Sequence, residues 1–420
     1  MHTDTVPVTT EKVLPASMDR APEFGEAPRV GPSGPNVPIG YLRAFLTLLV
    51  LAHHAVLAYH PFAPAAATSL TAEPRWWQAI PVVDTQGFSG VALFVGFNDV
   101  FFMALMFFLS GLFVSQGLAR KGARVFLGDR FRRLGLPFVV AAAVVAPLAY
   151  YPSYLGTGAS GGMAGFAREW FSLGNWPAGP AWFLWLLLAF DVVAAALFAT
   201  KPGLFQALGR SSPGAVSRPA LAFVLLITLS AVAYLPLVLT IGALHWTAVG
   251  PFTFQTSRLL HYAVYFFAGV VVGANGLDRS LLRPGSTLER RWAVWLVAAL
   301  AAFALATATT IAAFSPEADA GWQVAASLMF VVACAAISFA LLAAFLRFAK
   351  RPIPAFDSLR DNAYGMYLVH HPFCSWLQLG LLAAPLPALL KGLVVFVATV
   401  GLSWGAAAAL RQVPAIRRVL

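Results

Sequence analysis

Apolar residues in this chain come in long runs separated by short polar breaks, and the runs have the length of membrane-crossing helices. A helix that spans a bilayer core needs about 20 mostly apolar residues. Runs of that kind lie near 39–60, 99–118, 134–152, 181–200, 219–241, 258–276, 293–314, 322–346, 363–384 and 388–410. The pattern predicts an all-α fold, a polytopic transmembrane helix bundle of about ten spans. Residues 1–38 stand apart, with seven prolines, mixed charge and almost no apolar run. Such a segment cannot bury enough surface to fold and lacks the apolar core of a signal peptide, so a disordered cytoplasmic tail is expected there. The transmembrane domain then occupies 39–410, followed by a basic cytoplasmic tail over 411–420. No internal repeat is found.

The polar breaks carry charge asymmetrically. Of the 28 Lys and Arg, 23 fall on the side of the N-terminus, and only Arg75, Arg168, Arg258 and Lys391 fall opposite. That is the positive-inside pattern, and misplacing one span would scramble it. Both termini are therefore expected on the cytoplasmic side. Composition agrees: 59% of residues are hydrophobic and 11% charged, against about 25% charged in a soluble domain. The net charge of +11 follows from the basic loops and gives no reason to expect nucleic acid. Cys334 and Cys374 both sit in apolar runs and report on no redox compartment. The two longest outer connections, 61–98 and 153–180, carry Trp76, Trp77, Phe88, Tyr154, Trp170 and Trp176. These aromatics suit anchoring at the headgroup level before they suit a surface on which sugar C–H faces stack.

Ionisable residues inside spans are costly, so each marks a candidate site. Arg43, His53 and His54 lie in the first span, Asp99 opens the second, Asp191 is in the fourth, His261 in the sixth, and His370 and His371 in the ninth. Eleven residues separate Arg43 from His54, which is about three turns plus 20°, so both share one face about 16 Å apart. His53 points about 80° away from Arg43. An Arg and a His on one stripe line a cavity, or else snorkel and hydrogen-bond to neighbouring helices. In the ninth span Tyr364 and Tyr367 are neighbours at i, i+3, and Pro372 follows the histidine pair and frees backbone carbonyls. Asp191 suits a structural ion pair with an intramembrane cation. Ser110-Gly111 suits close helix packing. The run Arg120 to Arg133 reads as a topogenic loop, or as a phosphate-binding cluster that includes Arg130, Arg132 and Arg133.

Four stretches together resemble the acyltransferase 3 family of integral-membrane acyltransferases, of the glucan-biosynthesis protein C type. They are Arg43 with His54 after Tyr41-Leu42; Phe107-Phe108-Leu109-Ser110-Gly111 with the basic Arg130-Phe131-Arg132-Arg133-Leu134; Gly179-Pro180-Ala181-Trp182-Phe183; and Tyr364-Gly365-Met366-Tyr367-Leu368-Val369-His370. The resemblance covers roughly 39–410. It implies transfer of an acyl group from acyl-CoA to a hydroxyl, usually on a sugar, by a multi-pass protein of the bacterial inner membrane. It assigns the catalytic role to His54 and adds Arg43, Tyr364, Tyr367 and His370 to the site. His53 and His371 are additional here. The acidic residue that many members carry before the Ser-Gly pair is absent, since that stretch reads Met103-Ala104-Leu105-Met106.

An imidazole near pKa 6.5 suits a general base for the acceptor hydroxyl. The expected division of labour gives His54 that role, with Tyr364, Tyr367 or His370 orienting it or donating to the oxyanion. Arg43, Arg130, Arg132 and Arg133 would hold the CoA phosphates. Acyl-CoA enters as donor substrate; no metal or prosthetic group is expected. The partners are acyl-CoA, the lipid bilayer and a glycan or other hydroxyl acceptor at the outer face. Two alternatives stand beside this: transfer to a small diffusible molecule, and a proton-coupled transporter, which should show repeated halves with broken helices.

Overall fold

A computed structural model describes residues 1–2, 36–211 and 217–420. The tail expected over 1–38 lies almost wholly outside the described residues. Val37–Leu420 forms one compact unit, which takes in the segment 411–420. Its long helices are α1 (Val37–Val56), α2 (Ser89–Gly111), α3 (Val114–Gly156) and, after a short α4 (Gly162–Ser172), α5 (Trp182–Thr200). A short α6 (Leu204–Ser211) precedes α7 (Pro219–Ile241); the hairpin β1 (Trp246–Val249) and β2 (Phe252–Gln255) follows. Then come α8 (Leu259–Ala274), α9 (Trp292–Ala313), α10 (Ala320–Phe348), α11 (Pro354–Leu381) and α12 (Ala388–Leu410).

Every one of the ten apolar runs coincides with a long helix, and the fold is a transmembrane helix bundle. Among the described residues nine helices are long and apolar enough to cross a membrane. The remaining long helix is α11, which carries Asp357, Arg360 and Asp361 and buries Asn362, His370, His371, Ser375 and Gln378. A helix wrapped in protein need not match lipid, so its polarity reflects an interior position. The opposite holds for α7, α9 and α12, which bury 17%, 17% and 22% of their most apolar window and turn the rest outward as a lipid-facing surface. The core joins α1, α2, α5, α8 and α10 through Leu42, Leu46, Phe101, Phe107, Phe190, Phe266 and Ile337. Helices α2 and α8 meet backbone to backbone: a Cβ on Gly111 would strike the Phe266 carbonyl, and one on Gly273 the Leu112 carbonyl. The close packing expected of Ser110-Gly111 is thus observed.

Several expectations are corrected. Helix α2 begins at Ser89, ten residues before the expected start, so Asp99 lies mid-helix and does not open the span. Gly90, Gly96, Asn98 and Asp99 made the segment look like loop. Inside the bundle the charge is neutralised by Arg258, so the helix continues through it. The run Arg120 to Arg133 is no loop. It belongs to α3, whose helical course turns at Gly122 (φ 74°) and widens into π-turns at Phe131–Gly135 and Ala141–Val145. The connection 153–180 contains α4, which packs Phe166 and Trp170 onto Trp77, Tyr150 and Tyr154. Nor are Arg258 and Lys391 loop charges: they pair with Asp99 and Asp84 within the fold.

Candidate active site

His53 and His54 occupy the last turn of α1, where apolar Leu42, Leu46 and Val50 face the core. His54 Nδ1 lies 2.8 Å from the Val50 carbonyl, one turn back. A carbonyl only accepts, so Nδ1 carries the proton and Nε2 keeps its lone pair. His370 on α11 is fixed in the same way, its Nδ1 donating to the Tyr367 carbonyl at 2.7 Å. Its Nε2 lies 3.4 Å from His54 Nδ1 and offers that N–H a second, longer acceptor. His371 completes the group, its ring centroid 5.4 Å from that of His54; neither of its nitrogens has a hydrogen-bond partner. By spacing alone the three rings could hold a metal ion. With both Nδ1 atoms serving backbone carbonyls, His54 and His370 would each have only Nε2 to give.

Three other segments converge on this group. Gly179 holds φ at 55°, and a Cβ there would stand 3.3 Å from His371 Cδ2 and 3.4 Å from the Tyr150 hydroxyl oxygen. Only glycine meets both demands. Gly179→Ala is expected to cost about 1–2 kcal/mol for the left-handed backbone, read as a lowered unfolding midpoint in detergent. The Tyr367 hydroxyl donates to the Pro180 carbonyl, and that of Tyr364 to the Arg133 carbonyl in the first π-turn. The two tyrosines therefore tie α11 to the Gly179-Pro180 turn and to the basic segment of α3. Their protons are already engaged by backbone and do not point into free space beside His54.

Gln378 is a residue that sequence reasoning missed. Its side-chain amide donates to the carbonyls of His54 (2.8 Å) and Ala55 (3.1 Å). Those carbonyls lie at the end of α1, where the regular i to i+4 ladder runs out. Gln378 follows His371 by seven residues, two turns along one helix face, and that register was the available signal.

At the other end of the α1 stripe lies Arg43. Its side chain is solvent-accessible. The charges of Arg130 and Arg133 reach it. Arg130 forms the intramembrane ion pair expected of Asp191, with Nε 3.3 Å from Oδ2, and lies over the Phe126 ring. Among the described residues no carboxylate pairs with Arg43, Arg132 or Arg133. Gathered cations without enough anions make a ready anion site.

All four motif stretches thus meet around one interior. Arg43 and His54 come from α1, Arg133 from the π-turn, Pro180 and Gly179 from the turn before α5, and Tyr364, Tyr367 and His370 from α11. A family profile described as an acyltransferase domain, of the acyltransferase 3 type, matches residues 37–408. No curated protein and no solved structure matches the chain significantly. The profile takes in nearly the whole compact unit, and the chain belongs to the acyltransferase 3 family of membrane acyltransferases.

Proposed function

We propose that the protein moves an acyl group from acyl-CoA to a hydroxyl of a carbohydrate or other envelope acceptor, with His54 as general base. The observation that carries this is the fixed tautomer of His54: Nδ1–H is held by Val50 and leaves a basic Nε2 in a partly accessible interior. Nε2 takes the proton of the acceptor hydroxyl as its oxygen attacks the thioester carbonyl. The tetrahedral intermediate then expels the CoA thiolate, and the imidazolium returns the proton to sulfur. In the charged stage the His54 Nδ1–H keeps the Val50 carbonyl as acceptor, with the His370 Nε2 as a second and longer one. His371, with two open nitrogens, is the neighbouring group able to present an N–H to the oxyanion. Tyr364 and Tyr367 position α11 and do not donate to substrate.

In this reading Arg43, Arg130, Arg132 and Arg133 hold the phosphates of CoA at the other end of the stripe, with that end on the cytoplasmic side. The pantetheine arm reaches about 16 Å along α1 to His54, and the acceptor arrives from the outer face. The decisive experiment incubates membranes with labelled acyl-CoAs and extracted envelope glycans and follows label into the glycan. Label that never leaves the donor would overturn the reading. Arg43→Ala is expected to raise the KM for acyl-CoA about 10- to 100-fold, the loss of one charge-assisted contact of about 1.5–3 kcal/mol. The acceptor KM should not move; a change confined to the acceptor would remove Arg43 from the donor site.

A further inference from the structure

The last turn of α1 carries a second imidazole, and what it faces differs from what His54 faces. His53 stacks on Phe102 of α2, with ring centroids 5.4 Å apart, and stands edge-on to His54 at 5.5 Å. Its Nδ1 has no hydrogen-bond partner. Asp99, one turn before Phe102 on α2, lies close enough for its charge to act on His53. Asp99 is gripped from the far side by Arg258, Nη1 to Oδ1 at 2.9 Å and Nη2 to Oδ2 at 2.6 Å. Arg258 lies over the Phe330 ring.

A pair that served stability alone would be dry, as Asp84–Lys391 is, with both side chains 1% exposed. Asp99–Arg258 is lopsided: the guanidinium side chain is 6% exposed and the carboxylate 47%, in the middle of an apolar helix. A charged group midway along a membrane-crossing helix faces the bundle interior or a watery cavity rather than lipid, so the exposed side of Asp99 is assigned to internal space. A carboxylate has about four lone-pair sites. The fork of Arg258 occupies one on each oxygen, which leaves about two facing that space. Because Arg258 cancels the charge, the exposed oxygens favour neutral hydroxyl donors over ammonium ions, and as acceptors only they offer no donor to phosphate oxygens. Nearby, partly accessible Trp182 stacks on Tyr262, on which the Arg258 charge acts. Such a ring offers a face for sugar C–H groups.

We propose that Asp99, held by Arg258, and His53 form the acceptor subsite, which binds a neutral polyhydroxy compound beside the His54 base. This rests on the acyl-transfer reading and names the residues that select its acceptor. Asp99 and His53 hold hydroxyls that do not react, and thereby fix which hydroxyl meets His54 Nε2.

The test uses the full-length protein in detergent, a glucan oligosaccharide as polyol probe and hexanol as a single-hydroxyl control. Asp99→Asn strands the buried Arg258, so it is paired with the double variant Asp99→Asn with Arg258→Gln, which removes both charges. Calorimetric binding of the oligosaccharide, without donor, should weaken at least tenfold in the double variant and in His53→Phe. In the transfer assay the oligosaccharide KM should rise by the same factor while the acyl-CoA KM stays within twofold, and the preference over hexanol should fall. Unchanged oligosaccharide affinity in both variants, or no saturable binding to the wild type, overturns the proposal. So does a fall in kcat with both KM values constant. Wild-type protein that binds the oligosaccharide yet never acylates it would instead refute the acyl-transfer reading and leave the subsite standing.

Discussion

His54→Ala is expected to lower acyl transfer by about 100-fold to 10⁴-fold, the range for removing a positioned general base, in protein that accumulates in the membrane at wild-type levels. The second half follows from what the side chain touches. Its hydrogen bonds run to the carbonyl of its own helix and, at 3.4 Å, to His370. Gln378 holds the end of α1 through backbone carbonyls, which alanine keeps. The substitution thus removes chemistry and spares the architecture. His370→Ala should cost less, since Val50 continues to fix the His54 tautomer. Turnover and membrane accumulation, measured together, decide the matter. Undiminished transfer by His54→Ala would sink the general-base assignment, and so would a His370→Ala variant more impaired than it.

The part of this site that could be read in the sequence is the part carried by local pattern. Apolar runs located the ten helices because each lipid-crossing segment must be apolar over about 20 residues. The Arg43–His54 spacing placed both groups on one stripe of α1 because helix periodicity is fixed. Contacts between distant segments have no such signature. Asp99 and Arg258 are 159 positions apart, Asp84 and Lys391 307, and Gln378 and His54 324. Asp84, Arg258, Lys391 and Gln378 looked like loop charges or ordinary polar residues until the helices were packed, so the partners of Asp99 and His54 could not be named from the sequence. Tyr364 and Tyr367 show the same limit from another side. Their spacing placed them on one face, but whether a hydroxyl meets substrate or a carbonyl depends on Arg133 and Pro180, which belong to distant segments.

The largest expected effect on stability is at Lys391, which the charge pattern alone would leave in an outer loop. Lys391 sits in the first turn of α12, where the helix dipole disfavours a cation, and its ammonium donates to Asp84 Oδ2 at 2.7 Å and to the Leu382 carbonyl at 3.2 Å. Asp84 in turn joins the end of α1 to the connection before α2: its N–H donates to the Ala58 carbonyl, and its Oδ1 accepts from the Gln86 N–H. The pair therefore fastens α12 to the chain just beyond His54. Lys391→Met leaves a carboxylate of 1% exposure without its counter-charge, at an expected cost of about 3–5 kcal/mol. Removing both charges is a different matter, because desolvating an ion pair offsets most of its attraction. The double variant Lys391→Met with Asp84→Asn should recover most of the loss. Thermal unfolding of the four proteins in detergent forms a double-mutant cycle that separates the pair energy from its surroundings. A double variant no more stable than Lys391→Met would mean that Lys391 acts through packing and the Leu382 carbonyl, with the Asp84 charge playing no part. Recovery of stability together with full transfer activity would show that the latch needs a neutral, filled contact at this position and no charge.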